Sequence, residues 1–223
     1  MRAEPAAVNI LFHGLGPPGP GVDAEAEKYF IPADLFLAVL DEVREHPGVE
    51  LSFDDGYASD VHIAWPALTE RGLTARFFPL AGQLGQPGYV RADEVRELAT
   101  AGMTVGSHGM RHRSWRGLDP QARREELVEA RQLLGAATGA PIDTAACPFG
   151  AYDRGVLTAL RAEGYAHVFT SDRQRARVGA WLQPRYSVRR GDTIESVRAQ
   201  ILATRPLRER ARGALATRAK AWR

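Results

Sequence analysis

Three short stretches of the chain carry side chains that could act together. The first is Ser52-Phe53-Asp54-Asp55-Gly56, which closes an apolar run. Side chains alternate along a strand, so neighbouring aspartates are expected to point in different directions. One can hold a metal ion while the other meets a water bound to that ion. Two close carboxylates repel, and a cation between them relieves the cost. An Asp-Asp-Gly turn at a strand end is also common for conformational reasons alone. The second stretch is Ser107-His108-Gly109-Met110-Arg111-His112. Its two histidines share one face if the segment turns helically, and such a pair suits a metal. Gly109 excludes the zincin pattern, which needs a glutamate at that position. In the third, Ala146-Cys147-Pro148-Phe149-Gly150-Ala151-Tyr152-Asp153, the Pro-Phe-Gly step forces irregular backbone ahead of a helix. Backbone N–H groups there are free to stabilise an oxyanion; a plain connecting loop is the simpler alternative.

Taken together, Asp55, His108 and His112 offer one carboxylate and two imidazoles, with positions left for water and substrate. Such a set suits Zn²⁺, Fe²⁺, Co²⁺ or Ni²⁺. Asp54 then remains free as a general base. Cys147 is the sole cysteine, which excludes an intrachain disulfide and a cysteine-based zinc site. Lying just before Pro148, it reads as a small packed side chain and not as a nucleophile.

These residues need a frame that brings them together. Apolar runs at residues 8–12, 50–53, 76–80, 104–107, 144–147 and 167–170 read as buried strands. Between them, residues 33–44, 60–71, 92–101, 120–138 and 154–163 have helical spacing. Asp119 and Pro120 form a plausible helix start. Gly72, Gly102, Gly139 and Gly164 each fall just past a helix, where a left-handed cap is expected. Strands alternating with helices argue for parallel βα units in one α/β domain. The loops 14–21 and 82–88 follow strands and are expected to rim a pocket at the strand ends.

Composition narrows the function classes. Of 223 residues, 44% are hydrophobic and 25% charged, as in a folded globular chain. The formal charge is +2 overall, but residues 205–223 hold seven basic residues against Glu209, leaving the rest near −4. The body therefore has no broad basic face for nucleic acid. The expected organisation is a catalytic domain over 1–204 and a basic helical tail over 205–223. Leu207, Ala211, Leu215 and Trp222 would line one face of that tail. It would pack on the body or make peripheral contact with an anionic membrane. The N-terminal apolar run is too short for a signal-peptide core, and no run approaches the roughly 18 residues of a membrane span. A cytoplasmic location is the expectation.

The ordered set Phe53-Asp54-Asp55-Gly56, Ser107-His108-Gly109-Met110-Arg111-His112 and Pro148-Phe149-Gly150 resembles the polysaccharide deacetylase family. This is the NodB-homology group, carbohydrate esterase family 4, and the likeness runs from about residue 9 to about residue 188. Residues 75–80 resemble the family's strand after the first motif. The resemblance implies a distorted (β/α) barrel of about seven parallel strands. It also implies metal-dependent hydrolysis of N-acetyl groups on an amino sugar. By position it makes Asp54 the base, Asp55, His108 and His112 the metal ligands, and the Phe149 N–H the oxyanion donor. Zn²⁺ is the first expectation for the ion.

The chain departs from the pattern twice. Ala146 stands where many members carry an arginine that pairs with the base, and Arg185 is the candidate substitute. No histidine follows His167, so the C-terminal acid of many members is missing. The branch acting on poly-N-acetylglucosamine instead uses a histidine after the first strand, which His13 matches. At a strand end before a Gly-rich loop, His13 is expected to titrate near neutrality; His167 is the reserve. Tyr57, Pro148, Gly150 and Trp115 are the expected substrate contacts, and Trp65 and Trp181 are further rings that could stack on sugar. Competing readings are a deformylase or other small-amide hydrolase on the same site, an Fe²⁺ oxygenase, and a glycan-binding homologue without activity.

Overall fold

The computed structural model describes residues 6–19, 22, 24–202, 215, 219, 220 and 222. All six expected strands are present: β1 (Ala6–Phe12), β2 (Val49–Asp55), β3 (Ala75–Pro79), β4 (Thr104–Val105), β5 (Thr144–Ala146) and β6 (His167–Thr170). Three short strands were not expected: β7 (Ala176–Arg177), β8 (Leu182–Pro184) and β9 (Tyr186–Ser187). Two or three residues are too few for a period-2 pattern to emerge.

The helices follow the expected spacing closely. They are α1 (Ala33–Arg44), α2 (Trp65–Glu70), α3 (Ala92–Thr100), α4 (Pro120–Arg124), α5 (Ala130–Thr138), α6 (Arg154–Ala162) and α7 (Ile194–Val197). Asp119 caps α4 by accepting from the Ala122 N–H at 2.9 Å. Gly72, Gly102, Gly139 and Gly164 all have positive φ past their helices. Among the described residues three helical stretches contain a π-turn: Asp60–Ala64 leads into α2, Glu125–Glu129 joins α4 to α5, and Arg198–Leu202 follows α7. Pro66 accounts for the first. It has no N–H to give to the preceding turn, so the ladder widens and the Trp65 N–H bonds Asp60 O instead.

The architecture is α/β with mostly parallel strands, but the strands form two sheets and not one closed barrel. One is six-stranded, in the order β4-β3-β2-β1-β7 with β9 also on β1; the other is β5-β6-β8. Only β7 runs antiparallel to its neighbour. The expected closure fails at two seams. Between β4 and β5 only the single bridge Ser107–Ala145 forms, because the chain leaves strand geometry there to present His108. Between β8 and β9 the chain changes partner from β6 to β1 at Arg185. Both breaks in the ladder therefore coincide with residues facing the cleft described below.

The main core lies between the larger sheet and α1, α2, α3 and α5. Phe53, directly before the two aspartates, is fully buried among Phe12, Phe36 and Phe77, with ring centroids 5.4, 5.9 and 4.8 Å away. Phe78, on the other face of β3, packs with Ala146 and Phe169 between the sheets. Among the described residues no helix is long and apolar enough to cross a membrane. Most of the basic tail lies outside the described residues; of its described side chains, Leu215 and Trp222 are exposed. Phe53→Ala is expected to lower stability by about 3–5 kcal/mol, read from urea unfolding.

Candidate active site

The ends of β2, β4, β5 and β6 open into a cleft of about 650 Å³. Its lining includes His13, Tyr29, Asp54, Asp55, Tyr57, His108, His112, Phe149, Gly150 and Arg185. The loop at 82–88 contributes Gln83, with Tyr89 just beyond it. Of the loop at 14–21, the described residues contribute none of the lining, and residues 20 and 21 lie outside the described set.

Simple strand alternation does not hold at the aspartate pair. Asp55 takes a left-handed backbone (φ 73°), which turns its carboxylate toward the same cleft as that of Asp54. Gly56 follows at φ 75°, and a Cβ there would stand 2.6 Å from Pro79 Cβ. The step therefore needs glycine.

Arg185 settles the charge on Asp54. Its guanidinium is almost fully buried and grips the carboxylate with both prongs, Nη1–Oδ1 and Nη2–Oδ2 each at 2.7 Å. It also donates to Ser52 Oγ and Thr170 O, while Phe78 and Phe169 flank its plane. Burial alone would raise the Asp54 carboxyl, but Arg185 and then His108 outweigh it and hold the group below the usual carboxylate range. Removing one partner from such a buried pair leaves an uncompensated charge.

The other carboxylate faces the histidines. Asp55 Oδ1 stands 3.5 Å from His108 Nε2 and 3.4 Å from His112 Nε2. His108 Nδ1 lies 2.8 Å from Ala146 O, so this nitrogen carries the proton and Nε2 presents a lone pair to the cleft. Burial pushes the Asp55 carboxyl up and the His108 imidazole down. Asp55 Oδ1 is buried without a hydrogen-bond partner. A carboxylate oxygen facing imidazole lone pairs is the arrangement a divalent cation relieves, so the donor set fits a metal. Among the described residues, Asp55, His108 and His112 form the group able to hold one.

The histidines do not meet by a helical turn. Residues 107–112 form a loop in which Gly109 (φ 85°) and His112 (φ 49°) are left-handed. That loop is organised by a residue the sequence did not reveal. Glu126, fully buried in the second π-turn, accepts from the backbone N–H groups of Met110 and Arg111 at 2.8 and 3.2 Å. It also accepts from Trp115 Nε1 and Arg113 Nε. A Cβ on Gly109 would lie 2.3 Å from its Oε2. Asp60, from the first π-turn, is the second unforeseen acid. It is buried with neither oxygen bonded, and burial followed by repulsion from Asp55 and Asp54 raises its carboxyl well above the ordinary value.

Other expected residues separate into two groups. His13 faces the cleft and stacks on Tyr29 with centroids 4.6 Å apart. It does not titrate near neutrality: burial, against the pull of Asp54, brings it down to about 4. Phe149, itself left-handed (φ 58°), lays a largely exposed ring 4.3 Å from that of His112. Tyr57 hydrogen-bonds Asp55 and packs against Phe30 and Tyr89. Pro148 is buried behind the cleft, and Gly150 lines it. Trp115 is a correction: it is 2% exposed, and with its indole N–H spent on Glu126 it packs in the smaller core, where no sugar ring can reach. His167, Trp65 and Trp181 lie outside the cleft lining. Burial pushes the Cys147 thiol up to about 12, which rules out a thiolate nucleophile.

A buried, arginine-clamped aspartate lies beside a His₂Asp group able to hold a cation, at the ends of parallel strands. The chain belongs to the polysaccharide deacetylase family, whose sequence profile matches residues 41–168. It is similar to YxkH of Bacillus subtilis (strain 168), a protein named for the same family. The two are 27% identical over 124 residues, covering 56% of this chain and 44% of that one. The chain thus spans less than half the length over which that relative extends. Among solved structures it is similar to the Streptococcus pyogenes deacetylase PplD in complex with acetate. That match has a TM-score of 0.77 at 15% identity, over 89% of this chain and 99% of the other. IcaB from Ammonifex degensii matches with a TM-score of 0.72 at 21% identity, over 90% and 98%. At these identities the likeness establishes the NodB-like fold.

Glu126→Gln is expected to keep the chain folded while weakening zinc affinity on the order of tenfold, measured by equilibrium dialysis against a competing chelator.

Proposed function

We propose that the chain is a metal-dependent carbohydrate N-deacetylase that hydrolyses the acetamide of an N-acetylated amino sugar. The observation that carries this reading is the split of two adjacent aspartates between two partners: Asp54 to the Arg185 fork, Asp55 to the histidine pair. Family membership supports it, as does the fold shared with a deacetylase solved with acetate, the acyl product of such a reaction.

Asp55, His108 and His112 are the proposed ligands, with Zn²⁺ the first choice and Co²⁺, Ni²⁺ or Fe²⁺ compatible with the same donors. When bound, the cation supplies Lewis acidity to the acetamide carbonyl and lowers the pKa of nearby water. Asp54 serves as general base. Kept ionised by Arg185, it accepts the proton of the attacking water. The Phe149 N–H donates to the oxyanion that develops on the carbonyl oxygen. His13 is the proposed proton donor to the departing amine, since an amide nitrogen cannot leave as an anion. It is neutral in the free protein. The proton it passes to the nitrogen is therefore the one Asp54 takes from the attacking water, transferred as negative charge developing on the carbonyl oxygen raises the proton affinity of the imidazole. The ring of Phe149, with Tyr29, Tyr57 and Gly150, forms the proposed walls for the sugar. His13, just past the first strand and facing the cleft, supports placing the chain near the poly-N-acetylglucosamine branch.

Two outcomes test this. Acetate release from N-acetylglucosamine oligomers should stop on chelation and return with added Zn²⁺ or Co²⁺; activity untouched by chelator would refute the metal role. Asp54→Asn should lower kcat on the order of a thousandfold while the metal content stays stoichiometric. Loss of metal in that variant would show that Asp54 is a ligand and not the base.

A further inference from the structure

The turn carrying Phe149 has an unusual support. Phe149 is a non-glycine residue in the left-handed region (φ 58°), a conformation that persists only where its surroundings impose it. Its own ring is largely exposed and supplies little packing to hold it. From inside the turn, Gly150 N bonds Cys147 O at 2.9 Å and Ala151 N bonds Pro148 O at 3.0 Å. A Cβ on Gly150 would meet Ser171 Oγ at 2.1 Å, so the turn is pressed against the end of β6.

From outside, the turn is met by the basic tail. Lys220 Nζ lies 2.7 Å from Asp172 Oδ1 and 3.4 Å from Gly150 O, and 5.2 Å from the centre of the Tyr152 ring. Asp172 is a prepared socket for that ammonium. Its side chain is only 6% exposed, and its other oxygen accepts from Tyr152 Oη at 2.7 Å and Thr170 Oγ1 at 2.9 Å. One carboxylate thus ties together the end of β6 at Thr170, the third motif at Tyr152, and Lys220.

We propose that Lys220 is a positioning residue. It bridges Gly150 O and Asp172 and so holds the Pro148-Phe149-Gly150 turn in the orientation that aims the Phe149 N–H into the cleft. The proposal rests on the reading of that N–H as the oxyanion donor. It gives the C-terminal tail a part in turnover although it lies outside the family match at residues 41–168. An ion pair with one exposed partner contributes little to global stability, so its loss should act on the turn and not on the fold.

The test compares the full-length parent with Lys220→Met and Lys220→Arg. Lys220→Met should unfold at nearly the parent temperature, exchange amide hydrogens faster in residues 147–152, and lose kcat on the order of tenfold with KM unchanged. Lys220→Arg, which can still bridge the two oxygens, should restore both exchange and kcat. Parental exchange and kcat in Lys220→Met would overturn the proposal. Faster exchange with parental kcat would overturn it too, by showing that the turn is held but does not set the rate. A parent inactive on every acetylated sugar would refute the deacetylase reading alone, because the exchange comparison still reports whether Lys220 holds the turn.

Discussion

Two carboxylates on consecutive residues, both turned into one buried cleft, repel each other at short range. The rest of the site is arranged around that constraint. The fold resolves it by giving each acid a different partner. Asp54 meets the Arg185 guanidinium, which holds its carboxyl below the usual range, and Asp55 meets two imidazoles, a donor set that fits a cation. Asp60 lies behind them, and burial followed by repulsion from Asp55 and Asp54 raises its carboxyl well above the ordinary value. A low-dielectric site magnifies such interactions, so neighbouring acids each need their own compensation. The same division separates the proposed proton acceptor, Asp54, from the proposed metal ligand, Asp55.

Backbone strain is concentrated at this site. The non-glycine residues with positive φ are Asp55, His112, Phe149 and Arg173. Three of them line the cleft and the fourth follows Asp172, the acid that meets Lys220. Such conformations persist only when the surroundings over-determine them. Each of the three at the cleft has a visible support: the close approach of Gly56 to Pro79 at Asp55, Glu126 at the histidine loop, and the Asp172–Lys220 bridge beside Phe149. The two sheets contribute as well. A continuous ladder would keep Ser107 and Arg185 in regular pairing, whereas the two seams let the chain send His108 and Arg185 inward.

Family membership and the NodB-like fold explain why these elements occur in this order, but the electrostatics are particular to the chain. Where many members are expected to place an arginine in the third motif, Ala146 packs against Phe78 and Phe169. The guanidinium arrives instead from the junction of β8 and β9. Its target is the same carboxylate, which is the group that the chemistry requires to be charged.

Much of this was legible from the residues alone. Helical periodicity, the cap at Asp119 and the glycines at 72, 102, 139 and 164 placed five helical segments, and apolar runs placed six strands. Two short motifs picked out Asp54 with Asp55 and His108 with His112, because the members of each pair are close in sequence; that the two pairs face each other was decided by the fold. Tertiary structure alone decided what pairs across the chain. Arg185 reaches Asp54 over 131 positions, and Glu126 reaches Met110 over 16. It also decided the burial of Trp115, the low proton affinity of His13, and the opening of the expected barrel into two sheets. The physical reason is one of range. Periodicity and turn chemistry are set by covalent neighbours, whereas charge compensation, burial and seam position depend on atoms that only folding brings into contact.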